Sequence, residues 1–255
     1  MNTPSKNLPP IFVISLERAL DRRQHITETM HNLGLSFEFI NATDGKCLTE
    51  NELALYSKKA TRKLLGYELT HTEIACVLSH VRIYEKMLQE NIEKALIFED
   101  DAKFDNKLVD VLNNLEVFPN DWEMIMFGSP TFTYPTKIEV LKNIFVSEFR
   151  KAPKANLCYL IKHSAAEKLV NLAFPIRCPA DFLTGRASLS VVKTYGVHPR
   201  IVTQIREAGE GSTIGIRVHT PSNLWRIRRY LTYLLPMKYR NIPDLPDGTE
   251  TANPI

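Results

Sequence analysis

Residues 95–101 read ALIFEDD, four apolar residues followed directly by three acidic ones. An uninterrupted apolar run of this length is typical of a strand buried on both faces, as in a parallel sheet. The carboxylates then fall at the carboxyl end of the strand, where open α/β sheets bind their ligands. Adjacent carboxylates repel one another, so such a cluster normally requires a cation or strong hydrogen-bond donors beside it.

In an extended backbone, the side chains of Glu99 and Asp101 point to one side of the strand and that of Asp100 to the other. Two oxygen ligands on one side suit Mg²⁺ or Mn²⁺, with substrate phosphates completing the coordination shell. We therefore predict a metal site here. The alternative is a solvated turn after a strand, which the direct junction with the apolar run disfavours.

The rest of the chain alternates between strand and helix patterns. Strands are predicted at 11–14, 37–40, 122–127, 156–161 and 191–197, and helices at 21–33 and from residue 70 onward. Capping boxes, which mark helix starts, are predicted at Thr49 with Glu52, Thr70 with Glu73 and Ser164 with Glu167. This alternation predicts an α/β fold with a mostly parallel sheet flanked by helices.

Composition limits the function classes. The 255 residues are 44% hydrophobic, enough for one large core, and carry a net charge of +3. This mild basicity excludes a nucleic-acid partner but suits phosphate-bearing substrates or an anionic membrane surface. We expect neither a signal peptide nor a spanning helix, because residues 1–10 hold no apolar segment and no run of 18 apolar residues occurs.

The four cysteines form no C-x-x-C pair, so the spacing predicts no zinc site and favours a reducing compartment. Cys76 and Cys158 lie within apolar runs and are predicted to be buried thiols.

Three regions are distinguished along the chain. Residues 1–221 are predicted to form a single catalytic domain, 222–243 a basic amphipathic helical segment, and 244–255 a disordered tail. Apolar residues and three arginines alternate within 225–235, which suits attachment to anionic headgroups as well as packing on the core.

Four segments, taken together, resemble glycosyltransferase family 25, which includes lipooligosaccharide galactosyl- and glucosyltransferases of Gram-negative bacteria. The segments are VISLER at 13–18 with DRR at 21–23, LTHTEIACVLSH at 69–80, ALIFEDDA at 95–102 and PAD at 179–181. Their order and spacing make the resemblance specific, whereas any one motif alone would be weak. Thr72 and Ala75 depart from the family pattern, which has glycines there.

The resemblance implies a GT-A-like fold in which the acidic triplet takes the role of a D-x-D motif. In that role Glu99 contacts the ribose of the nucleotide, Asp100 lies at the donor, and Asp101 binds Mn²⁺ or Mg²⁺. Enzymes of this type often take a third metal ligand from a histidine near the end of the catalytic core. The sequence leaves His198 and His219 open; His219 is the ligand we predict, although both also suit surface positions.

Leu16, Arg18 and Arg22 follow the first predicted strand, and both the resemblance and the crevice rule predict that they lie at the nucleotide. An arginine there can bind a phosphate through two hydrogen bonds. Arg23 is predicted instead to be a solvated charge at a helix start. The same role is the alternative for Arg18 and Arg22.

Other donor-site candidates carry weaker signals. Asp44 with Gly45 is a typical turn sequence, and a contact with the base of the nucleotide is an equally weighted alternative. Ser79 and His80 are predicted in the donor site from the family match, against a satisfied boundary histidine. Gln204 lies in a predicted loop at 198–221 that is long enough to act as a lid.

The mechanism predicted from this set is direct displacement by an acceptor hydroxyl, which inverts the anomeric carbon, as the resemblance implies. Asp181 is the predicted general base, with a helix cap as its alternative role. The predicted donor is a UDP-sugar, with galactose or glucose as the hexose, and the acceptor is a lipooligosaccharide or another glycan.

Two other functions use similar parts. A sugar nucleotidyltransferase also needs acids, a metal and a nucleotide pocket, but it usually carries a glycine-rich phosphate loop, and residues 15–18 hold no glycine. A non-catalytic, membrane-associated protein that binds a sugar nucleotide is the third hypothesis. For the transferase we expect a cytoplasmic location, with peripheral attachment to the cytoplasmic face of the inner membrane.

Overall fold

The computed structural model describes residues 8–129, 137–150, 152–153, 156–188 and 191–205. The strands are β1 Ile11–Ser15, β2 Glu38–Asn41, β3 Lys94–Glu99, β4 Ala102–Lys103, β5 Met124–Met126, β6 Ile138–Leu141, β7 Ile144–Glu148, β8 Cys158–Lys162, β9 Thr194–His198 and β10 Thr203–Gln204. The helices are α1 Leu20–Asn32, α2 Glu50–Ala54, α3 Lys58–Leu65, α4 His71–Gln89, α5 Asn106–Leu112, α6 His163–Ala173 and α7 Ala180–Phe182; a short 3₁₀ turn covers Leu115–Val117 and a π-helical turn Leu183–Ala187.

Eight of these strands form one sheet in the order β2-β1-β3-β8-β5-β9-β7-β6. Six strands run in one direction (β2, β1, β3, β5, β9 and β6), and β8 and β7 run in the other. Helices cover both faces. The predicted α/β fold, with most strands of the sheet aligned and helices around it, is confirmed.

The predicted β-α-β unit at the start of the chain is present. All five residues of β1 are buried, and β1 pairs in parallel with β2 on one side and β3 on the other. Between β1 and β2, helix α1 buries Ile26 and Met30 against the sheet and ends before Gly34, whose φ of +66° suits a residue without a β-carbon.

The uninterrupted apolar run of β3 is explained by helices on both faces. Ala95 and Ile97 pack in the cluster that contains α3, α4, α6 and α7. Leu96 and Phe98 pack in the cluster that contains α1 and α5. Because alternate residues of a strand face opposite sides, both sets must be apolar, and the acidic residues begin only where the strand leaves the core.

The starts of α2 and α4 follow the predicted capping boxes. At α4, the Thr70 hydroxyl accepts a hydrogen bond from the Glu73 amide at 3.2 Å, and the Glu73 carboxylate accepts one from the Thr70 amide at 2.9 Å. Thr49 and Glu52 make the same pair of bonds at α2. The third predicted box is wrong, because α6 begins at His163 and the Ser164 hydroxyl donates to Glu123 instead.

Strand β8 was predicted at 156–161 but its antiparallel direction was not, and strands β6, β7 and β10 were not predicted. Strand β8 enters the sheet antiparallel between β3 and β5, and β6 and β7 form an antiparallel hairpin at its edge. The predicted loop after residue 198 includes β10, which pairs with β4 just beyond the acidic triplet. These pairings join parts of the chain that are distant in sequence, so local patterns do not signal them.

The described residues end at 205, so the predicted segments 222–243 and 244–255 and the boundary at 221 lie outside them. Within the described ranges, none of the helices is long and apolar enough to cross a membrane.

We expect Thr70→Ala to lower the free energy of unfolding by about 1 kcal/mol, because the Glu73 amide at the start of α4 loses its acceptor. Thr49→Ala removes the same cap from α2, a five-residue helix without buried residues, so its effect should be smaller. Urea unfolding followed by circular dichroism measures both variants. Equal losses would contradict a special role for the α4 cap.

Candidate active site

The acidic triplet lies where the chain changes direction in the sheet. From β1 the chain moves to β2 on one side and later returns to β3 on the other, so a crevice opens at the carboxyl ends of β1 and β3. Such a switch point is where open α/β sheets bind ligands. Glu99 is the last residue of β3, opposite Ile14, and Asp100 and Asp101 form the turn that follows.

Asp100 is turned towards β1 and α1. It is 6% exposed, accepts a hydrogen bond of 2.7 Å from the Ser15 hydroxyl, and pairs with the Arg22 guanidinium at 2.9 Å. Burial raises the pKa of Asp100, while the Ser15 hydrogen bond and the Arg22 charge act in the opposite direction. The structure therefore brings Asp100 and Arg22 together as an ion pair.

Asp101 faces the opposite wall of the crevice. Gln204 donates to its Oδ2 at 2.7 Å, and the Ile205 amide donates to its carbonyl at 2.8 Å, which ties the end of β10 to the triplet. Its Oδ1 is buried without a hydrogen-bond partner among the described residues. Burial, followed by the charge of Glu99, raises the pKa of Asp101 to about 6. Among the described residues, this carboxylate forms no salt bridge, although the Arg22 charge acts on it from a distance.

Glu99 contacts helix α4. Its Oε1 lies 3.4 Å from Nε2 of His80, which is 1% exposed. The other ring nitrogen of His80 is 2.8 Å from the Tyr159 hydroxyl, and that hydroxyl is 2.7 Å from the Tyr84 hydroxyl. Burial raises the pKa of both tyrosines, so their hydroxyls stay protonated at neutral pH. His80 is therefore enclosed by protein, and its open side faces Glu99.

The predicted burial of Cys158 is confirmed. Cys76 lies one helical turn before His80 and is partly buried against the core, less completely than predicted. Burial raises the pKa of the Cys76 thiol well above its usual value, and the charges of Glu99 and Asp181 add to that effect. Cys76 thus lies close enough to both carboxylates for their charges to act on it. The sequence signal for the position of Cys76 at the site is its four-residue spacing from His80, which puts both residues on one helix face.

Asp181 is exposed and is the second residue of α7. The N-cap position of α7 is occupied by Pro179 and makes no side-chain cap, so Asp181 does not fill the alternative role of N-cap residue. Helix α7 contacts α4, the helix that carries Cys76 and His80. The predicted base thus lies on the same face of the sheet as Glu99.

The loops after β1 and β2 meet beside the crevice. Arg18 forms an ion pair with Asp44, which also accepts a hydrogen bond from the Lys46 amide at 3.0 Å. Ser79 accepts a hydrogen bond from the Thr43 amide at 2.9 Å and so fastens this loop to α4. Asp44 is thus held both in a turn and in an ion pair.

Gly45 and Leu16 contribute backbone. A β-carbon on Gly45 would lie 2.7 Å from the backbone of Thr72, so only glycine allows this loop to approach the start of α4. The Leu16 carbonyl accepts hydrogen bonds from the Ala19 amide and the Arg23 guanidinium.

The prediction that Arg23 is a solvated charge is wrong. Its guanidinium also donates to the Ser15 carbonyl at 3.1 Å and to Asn41 at the end of β2, and it stacks 4.6 Å from the centre of the Phe39 ring. Arg23 joins the carboxyl ends of β1 and β2, and its rigid fork of donors suits that task.

Of the two histidines considered as a third metal ligand, His219 lies outside the described residues. His198 ends β9, three strands from β3 in the sheet, and burial and the Lys137 charge lower its pKa.

The residues of the crevice fit a divalent cation of the kind a D-x-D-type site implies. Glu99 and Asp101 offer carboxylate oxygens, and the buried Oδ1 of Asp101 is unpartnered within the described part of the chain. Asp100 is paired with an arginine, and the described residues supply no such partner to the other two carboxylates. Hard oxygen ligands and an excess of negative charge are what Mn²⁺ and Mg²⁺ require.

The sequence is similar to those of several known proteins. A sequence model described as "Glycosyltransferase family 25 (LPS biosynthesis protein)" matches residues 8–184. Human procollagen galactosyltransferase 2 is 29% identical over 171 residues, 63% of this chain and 27% of that protein. A glycosyltransferase 25 family member of Drosophila pseudoobscura pseudoobscura is 36% identical over 142 residues, 50% of this chain and 22% of that protein.

Human inactive glycosyltransferase 25 family member 3 is 27% identical over 181 residues, 66% of this chain and 29% of that protein. This chain thus spans less than a third of the length of these relatives. A solved glycosyltransferase involved in glycosylation of the major capsid of PBCV-1 aligns with a TM-score of 0.33 at 10% identity, over 65% of this chain and 66% of that one. The family match covers well over half of the sequence and includes the strand with the acidic triplet, so the chain belongs to glycosyltransferase family 25.

Proposed function

We propose that this chain transfers a hexose from a UDP-sugar to a hydroxyl of a glycan, with inversion at the anomeric carbon. The observation that carries the proposal is a buried oxygen of Asp101, beside Glu99 at the switch point of the sheet, which has no hydrogen-bond partner within the described part of the chain. Names of similar proteins support galactose as the hexose, with glucose as the second choice. The family description supports a lipopolysaccharide-type acceptor.

Glu99 and Asp101 would hold Mn²⁺ or Mg²⁺, which when bound neutralises the charge that develops on a departing diphosphate. Asp100 faces away from this pair, because Ser15 and Arg22 hold it against β1 and α1. Asp100 would thus stabilise the turn, while Glu99 and Asp101 would present their oxygens to the crevice.

The nucleotide would lie along the ends of β1 and β2. Arg18 is half exposed and, within the described ranges, is paired with Asp44 alone at the surface, so it can turn to a diphosphate at little cost. Leu16 supplies an apolar contact, and Asp44, fastened through Ser79, borders the base. Gln204 donates to Asp101 and closes the crevice from the side of β10.

Asp181 is proposed as the general base. A displacement of this kind forms a bond from the acceptor oxygen to the anomeric carbon while the bond from that carbon to the diphosphate oxygen breaks. The proton of the acceptor hydroxyl passes to an oxygen of Asp181. Asp181 lies on α7, which contacts α4, whereas Leu16 and Arg18 follow β1, and this separation supports attack from the face opposite the leaving group.

We expect Asp101→Asn to reduce Mn²⁺-supported release of UDP from UDP-galactose by about 100-fold or more, because the site loses a charged ligand. The matched control is Asp105→Asn, four residues away at the exposed N-cap of α5, which should retain full activity. Full activity in Asp101→Asn, or wild-type activity that EDTA leaves unchanged, would refute the metal role.

Two further measurements distinguish the rival functions from the transferase. Exchange of pyrophosphate into a nucleotide sugar would indicate a nucleotidyltransferase. Binding of UDP-galactose without turnover on any glycan would indicate a non-catalytic protein, a result that similarity to an inactive family member makes worth testing.

Asp181→Asn preserves shape and removes basicity, so we expect kcat to fall about 100-fold, within the usual contribution of a general base. The affinity for UDP with Mn²⁺ should change little, because the diphosphate contacts lie on other elements. Asp110→Asn, on the exposed side of α5, serves as the control. Normal turnover combined with a lower melting temperature would identify Asp181 as a structural residue.

We also propose peripheral binding to anionic membranes, with the catalytic domain in the cytoplasm, because residues 225–235 combine apolar residues with three arginines. The chain should sediment with vesicles that contain anionic lipid, and added salt should weaken that binding. Removal of residues 222–255 should abolish it. Equal sedimentation of the full and shortened chains would rule out this segment as the anchor.

A further inference from the structure

A second group of ligand-type atoms lies beside the acidic triplet. Cys76 and His80 are four residues apart on one face of α4, which faces Glu99 at the end of β3. The Cys76 sulfur, a ring nitrogen of His80 and a carboxylate oxygen of Glu99 all lie within 4.8 Å of one another. They come from a helix and a strand, so the absence of a C-x-x-C pair in the sequence does not bear on them.

The Nε2 atom of His80 is buried and has no hydrogen-bond partner among the described residues, although burial of an unpaired ring nitrogen is costly. Glu99 Oε1, its nearest charged neighbour, lies 3.4 Å away. A charge-assisted hydrogen bond would be about 2.7–2.9 Å. Two ligands of one metal, each bonded at about 2.0–2.1 Å, lie about 3.3–3.4 Å apart in a tetrahedral site. The observed separation is longer than such a hydrogen bond and is compatible with two ligands of one ion.

We propose that Cys76 Sγ, His80 Nε2 and a Glu99 oxygen form a binding site for Zn²⁺ or a chemically similar ion such as Co²⁺. Sulfur and imidazole ligands favour these ions over Mn²⁺ and Mg²⁺. Three protein ligands leave a fourth position open, and the partly exposed Cys76 and Glu99 provide the way in.

The surroundings favour a cation there. The carboxylates of Glu99, Asp181, Glu73 and Asp101 all act on the Cys76 sulfur with their negative charge. When the ion binds, a sulfur–metal bond forms and the thiol proton leaves to solvent, so the site gains one negative charge to balance the metal.

The far side of His80 is already prepared for a ligand role. Its Nδ1 is bound by the Tyr159 hydroxyl at 2.8 Å, and Tyr84 in turn binds Tyr159. A partner on the second nitrogen is what fixes the tautomer and the ring orientation of metal-binding histidines. In the tautomer in which Nδ1–H donates to the Tyr159 hydroxyl, the lone pair of Nε2 points towards Cys76 and Glu99.

This site shares Glu99 with the proposed Mn²⁺ site but not its other ligands. Occupation by Zn²⁺ would withdraw Glu99 from the donor, so Zn²⁺ should inhibit transfer; only this consequence rests on the proposed function. Binding of the metal alone does not require the chain to be a transferase.

The test titrates the full, metal-free chain with Co²⁺ and, separately, with Zn²⁺ by calorimetry. We expect one Co²⁺ per chain, with a near-ultraviolet sulfur-to-cobalt absorption band and visible bands of a four-coordinate ion. Cys76→Ser should abolish the ultraviolet band, and His80→Ala should weaken binding about 100-fold. Tyr159→Phe should weaken it about 10-fold.

Two controls separate this site from other binding. Cys47→Ser removes an exposed thiol elsewhere and should leave the bands unchanged. Asp101→Asn should lower Mn²⁺ affinity while Zn²⁺ affinity is kept. Zn²⁺ should also raise the melting temperature of the wild type but not that of Cys76→Ser. The wild-type shift does not depend on whether the variant folds. A sulfur-to-cobalt band that is absent in the wild type, or that persists in Cys76→Ser, would overturn the proposal.

Discussion

The structure depends on a concentration of negative charge at the end of one buried strand. Three consecutive carboxylates leave the core together, and each is met by a different part of the chain. Asp100 is held by Arg22 on the first helix, Asp101 by Gln204 on the last described strand, and Glu99 faces the long central helix. These contacts offset the repulsion that would destabilise an isolated cluster, and they join the beginning, the middle and the end of the described chain.

Much of this could be predicted from local sequence. The apolar run at 95–98 requires helices on both faces of its strand, and the structure has them. Capping boxes at Thr49 and Thr70 mark helix starts because their hydrogen bonds join residues only three apart. The third box at Ser164 failed because α6 begins one residue earlier, at His163, and the Ser164 hydroxyl donates to Glu123, which precedes β5.

What could not be predicted depends on contacts between distant segments. Strand β8 has the same apolar composition as a parallel strand, and only its neighbours decide that it runs antiparallel. Arg23 looks like any exposed arginine until β1 and β2 bring three acceptors within its reach. Cys76 is apolar in its sequence context, yet the packing of α4 and α7 surrounds it with carboxylates.

The position of Arg22 has a further consequence for how ligands would bind. This guanidinium is the ionic partner of a largely buried aspartate, and 37% of its side chain is exposed at the crevice. An anion that draws Arg22 away leaves Asp100 with only the Ser15 hydroxyl, so the anion gains less than a free arginine would give. A cation at the neighbouring acids offsets that loss, and thermodynamic linkage makes the effect mutual. Anion and cation should therefore bind with positive cooperativity, each raising the affinity for the other.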